Sequence, residues 1–181
     1  MPRKPEPQLR ARILEAALVL FVKGGEKGLS MRTLAKLART NTPAVYRRFR
    51  NREAILRAIA EHFRRNSFAA LEQCQSLEEI CGVLLDRALS RPREYALFYS
   101  ELISKLPGPR ANFEFTKKRA AEWLGGAPED HVKLVLALFA LIHGTAMLLI
   151  SGAVMPENQA RMRATFTASV PVLLQNATSL R

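Results

Sequence analysis

The chain has 181 residues, of which 48% are apolar and 24% are charged, and it contains 9 Gly, 10 Pro and 2 Cys. This length is enough for one or two domains, and the apolar content is high enough to form a core, which excludes a mainly disordered chain. Two cysteines are too few for a disulfide framework or a Cys-rich zinc site, and their scarcity is typical of a reducing compartment. We therefore expect a folded cytoplasmic protein.

The net charge of +12 is concentrated in the first third of the chain. Residues 1–65 contain 16 Lys and Arg against 5 Asp and Glu, a net charge of +11, whereas residues 66–181 carry a net charge of +1. A basic segment of this strength predicts a polyanionic partner. Double-stranded nucleic acid is the first candidate, and an anionic membrane surface bound through residues 1–65 is the alternative.

Helical spacing of apolar residues predicts four helices in the first 74 residues. The first helix carries Leu9, Ile13, Ala17 and Phe21 on one face and ends at Gly24. Ser30 caps the second helix, Asn41 or Thr42 caps a short third helix with Pro43 in its first turn, and Asn51 caps a longer fourth. Val45 and Phe49 face inward on the third helix. The short turn between the second and third helices predicts a helix-turn-helix.

Residues after 74 also show helical periodicity and contain no strand-like alternation of strand length, so the predicted fold class is all-α. Predicted helices begin at Ser76, Pro92, Ala111, Pro128 and Glu157. Leu134 to Ile150 is 17 residues without a formal charge, at the short edge of a membrane span. We expect it to be a helix buried on all sides in a helical bundle, because the other amphipathic helices can cover it, and we expect no membrane partner.

Short segments in one unbroken register between Leu9 and Phe63 match a known pattern. They are Ile-Leu-Glu-Ala-Ala at 13–17, Leu-Phe at 20–21, Gly24, Ser-Met-Arg-Thr-Leu-Ala at 30–35, Pro-Ala-Val-Tyr-Arg-Arg-Phe at 43–49 and Asn-Arg-Glu-Ala-Ile-Leu at 51–56. With these segments the chain resembles the DNA-binding domain of the TetR family of bacterial repressors. The family usually has Gly, an apolar residue and Ser where this chain has Arg39, Thr40 and Asn41.

The resemblance implies an N-terminal three-helix helix-turn-helix domain, residues 1–50, and a C-terminal helical bundle, residues 51–181, for ligand binding and dimerisation. Residues 51–74 would form the connecting helix. Ala-Leu-Ile-His-Gly at 140–144 resembles a helix of a TetR subgroup in which Trp, His and Gly recur, and Phe139 stands near the position of the Trp.

The predicted third helix is the part of a helix-turn-helix that enters the major groove. The resemblance implies base contacts for Arg32, Thr42, Pro43 and Arg47, since Arg forms bidentate hydrogen bonds with guanine and Pro43 and Ala44 offer apolar surface to a thymine methyl. Phosphate contacts are expected from Tyr46, Arg48 and Arg52. Taken singly, such residues are also typical of a solvated basic face. The predicted DNA-binding residues are Arg32, Thr33, Asn41, Thr42, Pro43, Ala44, Tyr46, Arg47, Arg48 and Arg52.

For the C-terminal part the resemblance implies an apolar pocket for a small-molecule inducer, with simple core packing as the alternative. The candidate pocket residues are Phe98, Leu102, Phe113, Trp123, Phe139, His143 and Met147. The last two helices, Val132–Ile150 and Glu157–Ala177, are more apolar than one small bundle can cover and predict a dimer interface. Its apolar stripe, which a monomer would expose, is formed by Met162, Phe166, Val170 and Leu173.

Catalytic patterns are missing from the sequence. His62, His131 and His143 have no second ligand at helical spacing, and no Gly-rich phosphate loop or nucleophile elbow occurs. Cys74 and Cys81 are either a redox pair or two inert thiols. The sequence therefore predicts a protein without enzymatic activity, cofactor or metal.

These observations predict a TetR-like homodimeric transcriptional regulator, a repressor that binds a palindromic operator and is released by a small apolar or amphipathic inducer. Two alternatives remain open at this point. One is a DNA-binding protein of the same fold without a small-molecule inducer, and the other is a basic helical module that binds anionic membranes.

Overall fold

The computed structural model describes residues 7–100 and 111–180, and within these ranges every regular element is helical. This confirms the all-α prediction. The α-helices are α1 (Pro7–Gly24), α2 (Met31–Leu37), α3 (Thr42–Arg48), α4 (Arg52–Leu71), α5 (Leu77–Ser90), α6 (Pro92–Phe98), α7 (Ala111–Leu124), α8 (Val132–Ile150) and α9 (Gln159–Gln175). Single 3₁₀ turns are formed by Gly25–Gly28, Pro128–His131, Pro156–Asn158 and Ala177–Leu180.

The described residues form two compact units. The first contains residues 7–65 and 93–100, and the second contains residues 66–92 and 111–180. The first unit extends beyond the predicted domain 1–50, because Ile55 and Ile59 of α4 and Leu97 of α6 are buried in its core. Helix α4 is therefore more than a connection, since its N-terminal half completes the hydrophobic core of the first unit.

Helices α2 and α3 form the predicted helix-turn-helix, and α2 packs against both α1 and α3. Ile13, Leu34 and Val45, one from each of the first three helices, are fully buried. Ser30 and Asn41 cap α2 and α3 with their side chains, as expected from the sequence. Burial of one face of each short helix therefore fixes the orientation of the other face.

The turn between α2 and α3 passes through a left-handed residue at the position where the family usually has Gly. Arg39 has φ +50°, the only positive φ of a non-glycine residue in the described ranges. The Thr40 N–H donates to the Ala35 carbonyl at 2.9 Å and the Arg39 N–H donates to the Lys36 carbonyl at 3.2 Å. This pair of hydrogen bonds is a Schellman motif, which usually has Gly at the left-handed position. The turn geometry is therefore kept without the glycine, at a conformational cost.

We predict that Arg39→Gly stabilises the protein. Glycine adopts a positive φ without the steric cost of Cβ, and part of that gain is lost to the larger entropy of the unfolded chain. We expect the free energy of unfolding, measured by urea denaturation, to rise by about 0.5–1 kcal/mol. Arg39→Ala is the matched control, because it removes the same side chain but keeps Cβ. A gain of the same size in Arg39→Ala would show that the side chain, and not the backbone, is the source.

Helix α8 lies in the second unit, where it packs against α5 and α9. Together with the preceding 3₁₀ turn it is the one helix in the described ranges that is long and apolar enough to cross a membrane, a property that core helices share. Only 33% of its apolar window is buried within the chain, and Leu136 and Leu148 are 50% and 42% exposed. The prediction that this helix is buried on all sides is therefore wrong, because α5 and α9 cover only part of it.

The apolar stripe of α9 is covered within the chain itself. Phe166 and Val170 are only 4% and 3% exposed, and Met162 and Leu173 are half-buried. The expectation that a monomer would expose this stripe is therefore wrong for its two central residues, because α9 turns them towards α8 and α5.

Candidate nucleic-acid interface

The first turns of α1, α2 and α3 contain no acidic residue. Acidic side chains there would offset the positive end of the helix dipole. In the second unit α5 and α7 carry them, as Glu78, Glu79 and Glu114, whereas α8 and α9 do not. The starts of the first three helices therefore stay electropositive. Such a surface suits a polyanion, in agreement with the net charge of +11 in residues 1–65.

Helix α3 presents a basic, partly aromatic surface on the side opposite its buried residues. Tyr46, Arg47 and Pro43 are exposed, and Thr42 and Arg48 are half-buried. The side chain of Asn41 accepts a hydrogen bond from the Ala44 N–H at 2.9 Å, so this residue has a structural role at the start of the helix. Thr42, Pro43, Tyr46 and Arg47 thus share one accessible face, whereas Arg48 lies towards the side of Ala44 and Val45.

Ala44 is the exception among the predicted residues of α3. It is only 4% exposed and lies on the buried side next to Val45. Its methyl group is therefore covered by protein, and the expectation that Ala44 offers apolar surface to a thymine methyl is wrong.

Helix α2 places two more predicted residues on the surface of the same unit. Arg32 and Thr33 are exposed in its first turn. The Thr33 hydroxyl lies 2.6 Å from the Ser30 hydroxyl, and the Thr33 N–H donates to the same Ser30 oxygen at 3.0 Å. The Thr33 side chain therefore helps Ser30 to cap the N-terminus of α2. The Arg32 side chain is exposed and takes no part in this cap.

A further exposed basic residue of the first unit, which the sequence did not single out, lies near the end of α3. The Arg10 guanidinium of α1 lies 5.0 Å from the centre of the Phe49 ring, at the end of α3, and the side chain is exposed. A cation over an aromatic face is held in a defined direction. In the sequence Arg10 could have been recognised as a basic residue in the first turn of a predicted helix, where the helix dipole favours acidic side chains.

Arg52 begins α4 and is already engaged within the chain. Its guanidinium donates a hydrogen bond to the Glu26 carbonyl, and Nη2 lies 3.8 Å from Oε2 of the Glu26 side chain. Both side chains remain about half exposed, at 46% and 51%. A phosphate contact by Arg52, as expected from the sequence, would therefore have to compete with Glu26.

The predicted pocket residues are divided between the two units. Phe98 belongs to the first unit, where its ring lies 6.1 Å from that of Phe63. Leu102 lies outside the described residues. In the second unit Phe113 and Phe139 meet edge to face at 5.8 Å, and Arg119 lies 5.4 Å from the Trp123 ring centre. His143 and Met147 are half-buried on α8, so the second unit holds five of the seven residues.

The buried polar residues of the second unit serve its packing. Lys117 is buried and forms ion pairs with Glu129 at 2.7 Å and Glu114 at 3.0 Å, and these carboxylates raise the pKa of Lys117. His131 is fully buried, with Nε2 2.8 Å from the Gly125 carbonyl oxygen. These contacts connect α7 to the turn before α8. Within residues 7–100 and 111–180 no group of three or more His, Cys, Asp or Glu could hold a metal ion.

Cys74 and Cys81 are both reduced and buried. Burial raises the pKa of both thiols, that of Cys81 to about 12. Since the thiolate is the reactive form, this environment favours two inert thiols over a redox pair.

The comparisons with known proteins agree with this geometry. Residues 13–59 match the profile of the N-terminal domain of the TetR family of bacterial regulatory proteins. A comparison with curated proteins gives no match.

Solved structures match nearly the whole chain. A protein of unknown function from Rhodococcus sp. RHA1 is 25% identical, with a TM-score of 0.75 and coverage of 97% of this chain and 98% of that one. A TetR transcriptional regulator from Streptomyces coelicolor is 22% identical, with a TM-score of 0.72 and coverage of 94% and 98%. A TetR variant from Acinetobacter baumannii AYE, solved in complex with minocycline, is 24% identical, with a TM-score of 0.68 and coverage of 98% and 99%. The fold is thus shared along both units.

Proposed function

The chain belongs to the TetR family of bacterial regulatory proteins, and on this premise we propose that it is a homodimeric transcriptional repressor of a palindromic operator. A helix-turn-helix regulator of this family binds DNA, and the finer assignment rests on one observation. The accessible side of α3 carries Pro43, Tyr46 and Arg47, and Arg47 lies almost opposite the buried Val45. A helix with a basic outer face fits the major groove, whose width admits one helix.

Within this proposal the residues divide by what they contact. Arg47, Thr42 and Pro43 would reach base edges from the exposed face of α3, since guanidinium groups recognise guanine by two hydrogen bonds. Arg32 would reach a base edge from α2, and Tyr46, Arg48 and Arg52 would hold phosphates and set the register of the helix in the groove. Two such surfaces in one dimer would contact half-sites about one helical turn of DNA apart.

Selection of bound duplexes from a random DNA pool tests the proposal. We expect the selected sequences to share a palindrome and affinity for them to fall with salt, with a log–log slope of roughly −4 to −8, because the protein displaces counterions from that number of phosphates. A protein that enriches no sequence, and binds anionic vesicles instead, would contradict the proposal in favour of membrane binding. Vesicles without anionic lipid are the control for that result.

Arg47→Ala tests base recognition. We expect affinity for the selected operator to fall by about 1–3 kcal/mol per half-site and the preference at one base pair to relax, because a bidentate contact to guanine is lost. Arg65→Ala, at an exposed position of α4, removes the same charge and is the matched control. An equal loss of affinity for operator and random DNA would show that Arg47 contacts a phosphate instead.

The proposed dimer interface lies on the exposed faces of α8 and α9. Leu136, Ala140, Gly144 and Leu148 follow at four-residue spacing on α8, so they share one helix face, and all four are exposed. On α9 the exposed Ala164, Ala168 and Val172 have the same spacing. An apolar face of this length is unusual for a monomer. A second copy would cover it by forming an intermolecular four-helix bundle about a two-fold axis.

A charge in the middle of this face tests the dimer. We expect Ala140→Glu to give a folded monomer by sedimentation, because an unpaired carboxylate is costly in an apolar interface, and operator affinity to fall to the non-specific level. Met155→Glu places the same charge at another exposed apolar residue of the second unit and should remain dimeric. Phe166→Glu is unsuitable here, since its buried side chain makes unfolding the expected result. A dimeric Ala140→Glu would place the interface elsewhere.

An apolar or amphipathic inducer is the remaining part of the proposal. The aromatic side chains of Phe113, Phe139 and Trp123 are all half-buried in the second unit, which supports a partly accessible apolar site there. A ligand that binds better to a dimer with the wrong spacing of its two α3 helices would release the operator. No enzymatic step is needed in this cycle of binding and release.

A further inference from the structure

We propose that Glu26 lowers the affinity of this protein for DNA by competing with the phosphate backbone for Arg52. The inference rests on the proposed function, in which the first unit binds DNA. It assigns to an acidic residue of the basic unit a role that neither the net charge nor the helix-turn-helix pattern provides.

The backbone of Glu26 is fixed in a tight 3₁₀ turn, Gly25–Gly28. Gly25 has φ +58°, a conformation that favours glycine. At Gly28 a Cβ would lie only 3.0 Å from the Leu20 carbonyl oxygen, so the turn packs closely on α1. The Leu29 N–H donates to the Glu26 carbonyl at 3.1 Å. The position of the Glu26 Cα is therefore fixed by the turn, and its carboxylate moves only by rotation about the side-chain bonds.

Arg52 reaches this turn from the first residue of α4. The Arg52 guanidinium donates to the Glu26 carbonyl, and the two side-chain charges lie 3.8 Å apart. About half of each side chain is exposed, so a phosphate from solvent has access to the same guanidinium. The exposed acids of residues 7–65 are few, and this one lies next to a predicted phosphate contact.

A phosphate bound to Arg52 would share the guanidinium with the Glu26 carboxylate. Two negative charges at neighbouring positions repel each other, and the repulsion grows when DNA displaces water from the surface. Arg52 would therefore either keep its contact with Glu26 or turn towards the phosphate, and each choice costs affinity. The effect acts on the backbone of DNA and is the same for every sequence.

The test is a double-mutant cycle on the intact protein, with the selected operator duplex and a random duplex as probes at about 0.15 M salt. We expect Glu26→Gln to bind both duplexes about three- to tenfold more tightly, since the carboxylate that competes for the Arg52 guanidinium is removed while the side-chain shape is kept. Arg52→Gln should bind both more weakly. The double variant should match Arg52→Gln alone, because Glu26 then has no cation to compete for.

Glu61→Gln is the matched control. It removes the same charge from the same unit, nine residues further along α4 and so about 13 Å from Arg52 along the helix axis. This separation exceeds the Debye length of about 8 Å at physiological salt. We expect its affinity to change less than twofold.

Four outcomes would overturn the inference or its premise. A Glu26→Gln protein that melts like the wild type but binds DNA equally or more weakly excludes the competition. Equal tightening in the Arg52→Gln background excludes Arg52 as the target. If Glu26→Gln does not fold, Glu26→Ala is measured in the same way, and failure of both to fold overturns the inference in favour of a structural role. A wild-type protein that enriches no duplex refutes the proposed function itself.

Discussion

The candidate nucleic-acid interface depends on the burial of one side of α3. A helix of seven residues forms too few internal hydrogen bonds to be stable alone, so its conformation is maintained by packing. Val45 is fully buried against a core that also contains Ile13, Leu34 and Ile55. Once Val45 points inward, the helical period turns Tyr46 and Arg47 outward. The same apolar contacts that stabilise the unit therefore aim its recognition side chains.

That packing also accounts for the unfavourable turn at Arg39. A left-handed arginine costs about 1–2 kcal/mol, and burial of a valine or leucine side chain contributes about 1.5–3 kcal/mol each. Leu34 and Val45 lie on the two sides of the turn and are both fully buried. The core on either side of the turn thus outweighs the cost of the missing glycine, and the angle between α2 and α3 is kept.

The sequence predicts well what depends on neighbours along the helix. The caps at Ser30 and Asn41 and the inward side of α3 follow from local spacing, and the structure confirms them. The sequence does not predict which helix, from the same chain or from a second copy, covers an apolar face. Phe166 and Val170 are a clear stripe in the sequence, but periodicity identifies the face and leaves open whether the same chain or a second copy packs on it.

Contacts between distant residues are the other part that local patterns miss. Arg52 and Glu26 are 26 residues apart, and only the three-dimensional position of the 3₁₀ turn brings them together. The burial of Ala44 follows similarly from the depth of the core around Val45 and not from its own residue type. Local patterns likewise do not reveal that Arg10 lies over the Phe49 ring at the end of α3.

The two units differ strongly in net charge. This difference separates the affinity for DNA, which depends on charge, from association between copies, which depends on apolar surface. The first unit carries nearly all of the net charge, so we expect its affinity for DNA to depend on salt. The second unit exposes an apolar face on α8, and apolar association depends little on salt. In the proposed dimer every contact of the first unit would occur twice, so a threefold change per half-site would become about ninefold for a palindromic operator, because free energies of independent sites add. A surface ion pair such as Glu26–Arg52 contributes little to folding, but under the proposed competition it would change how readily the protein leaves its DNA.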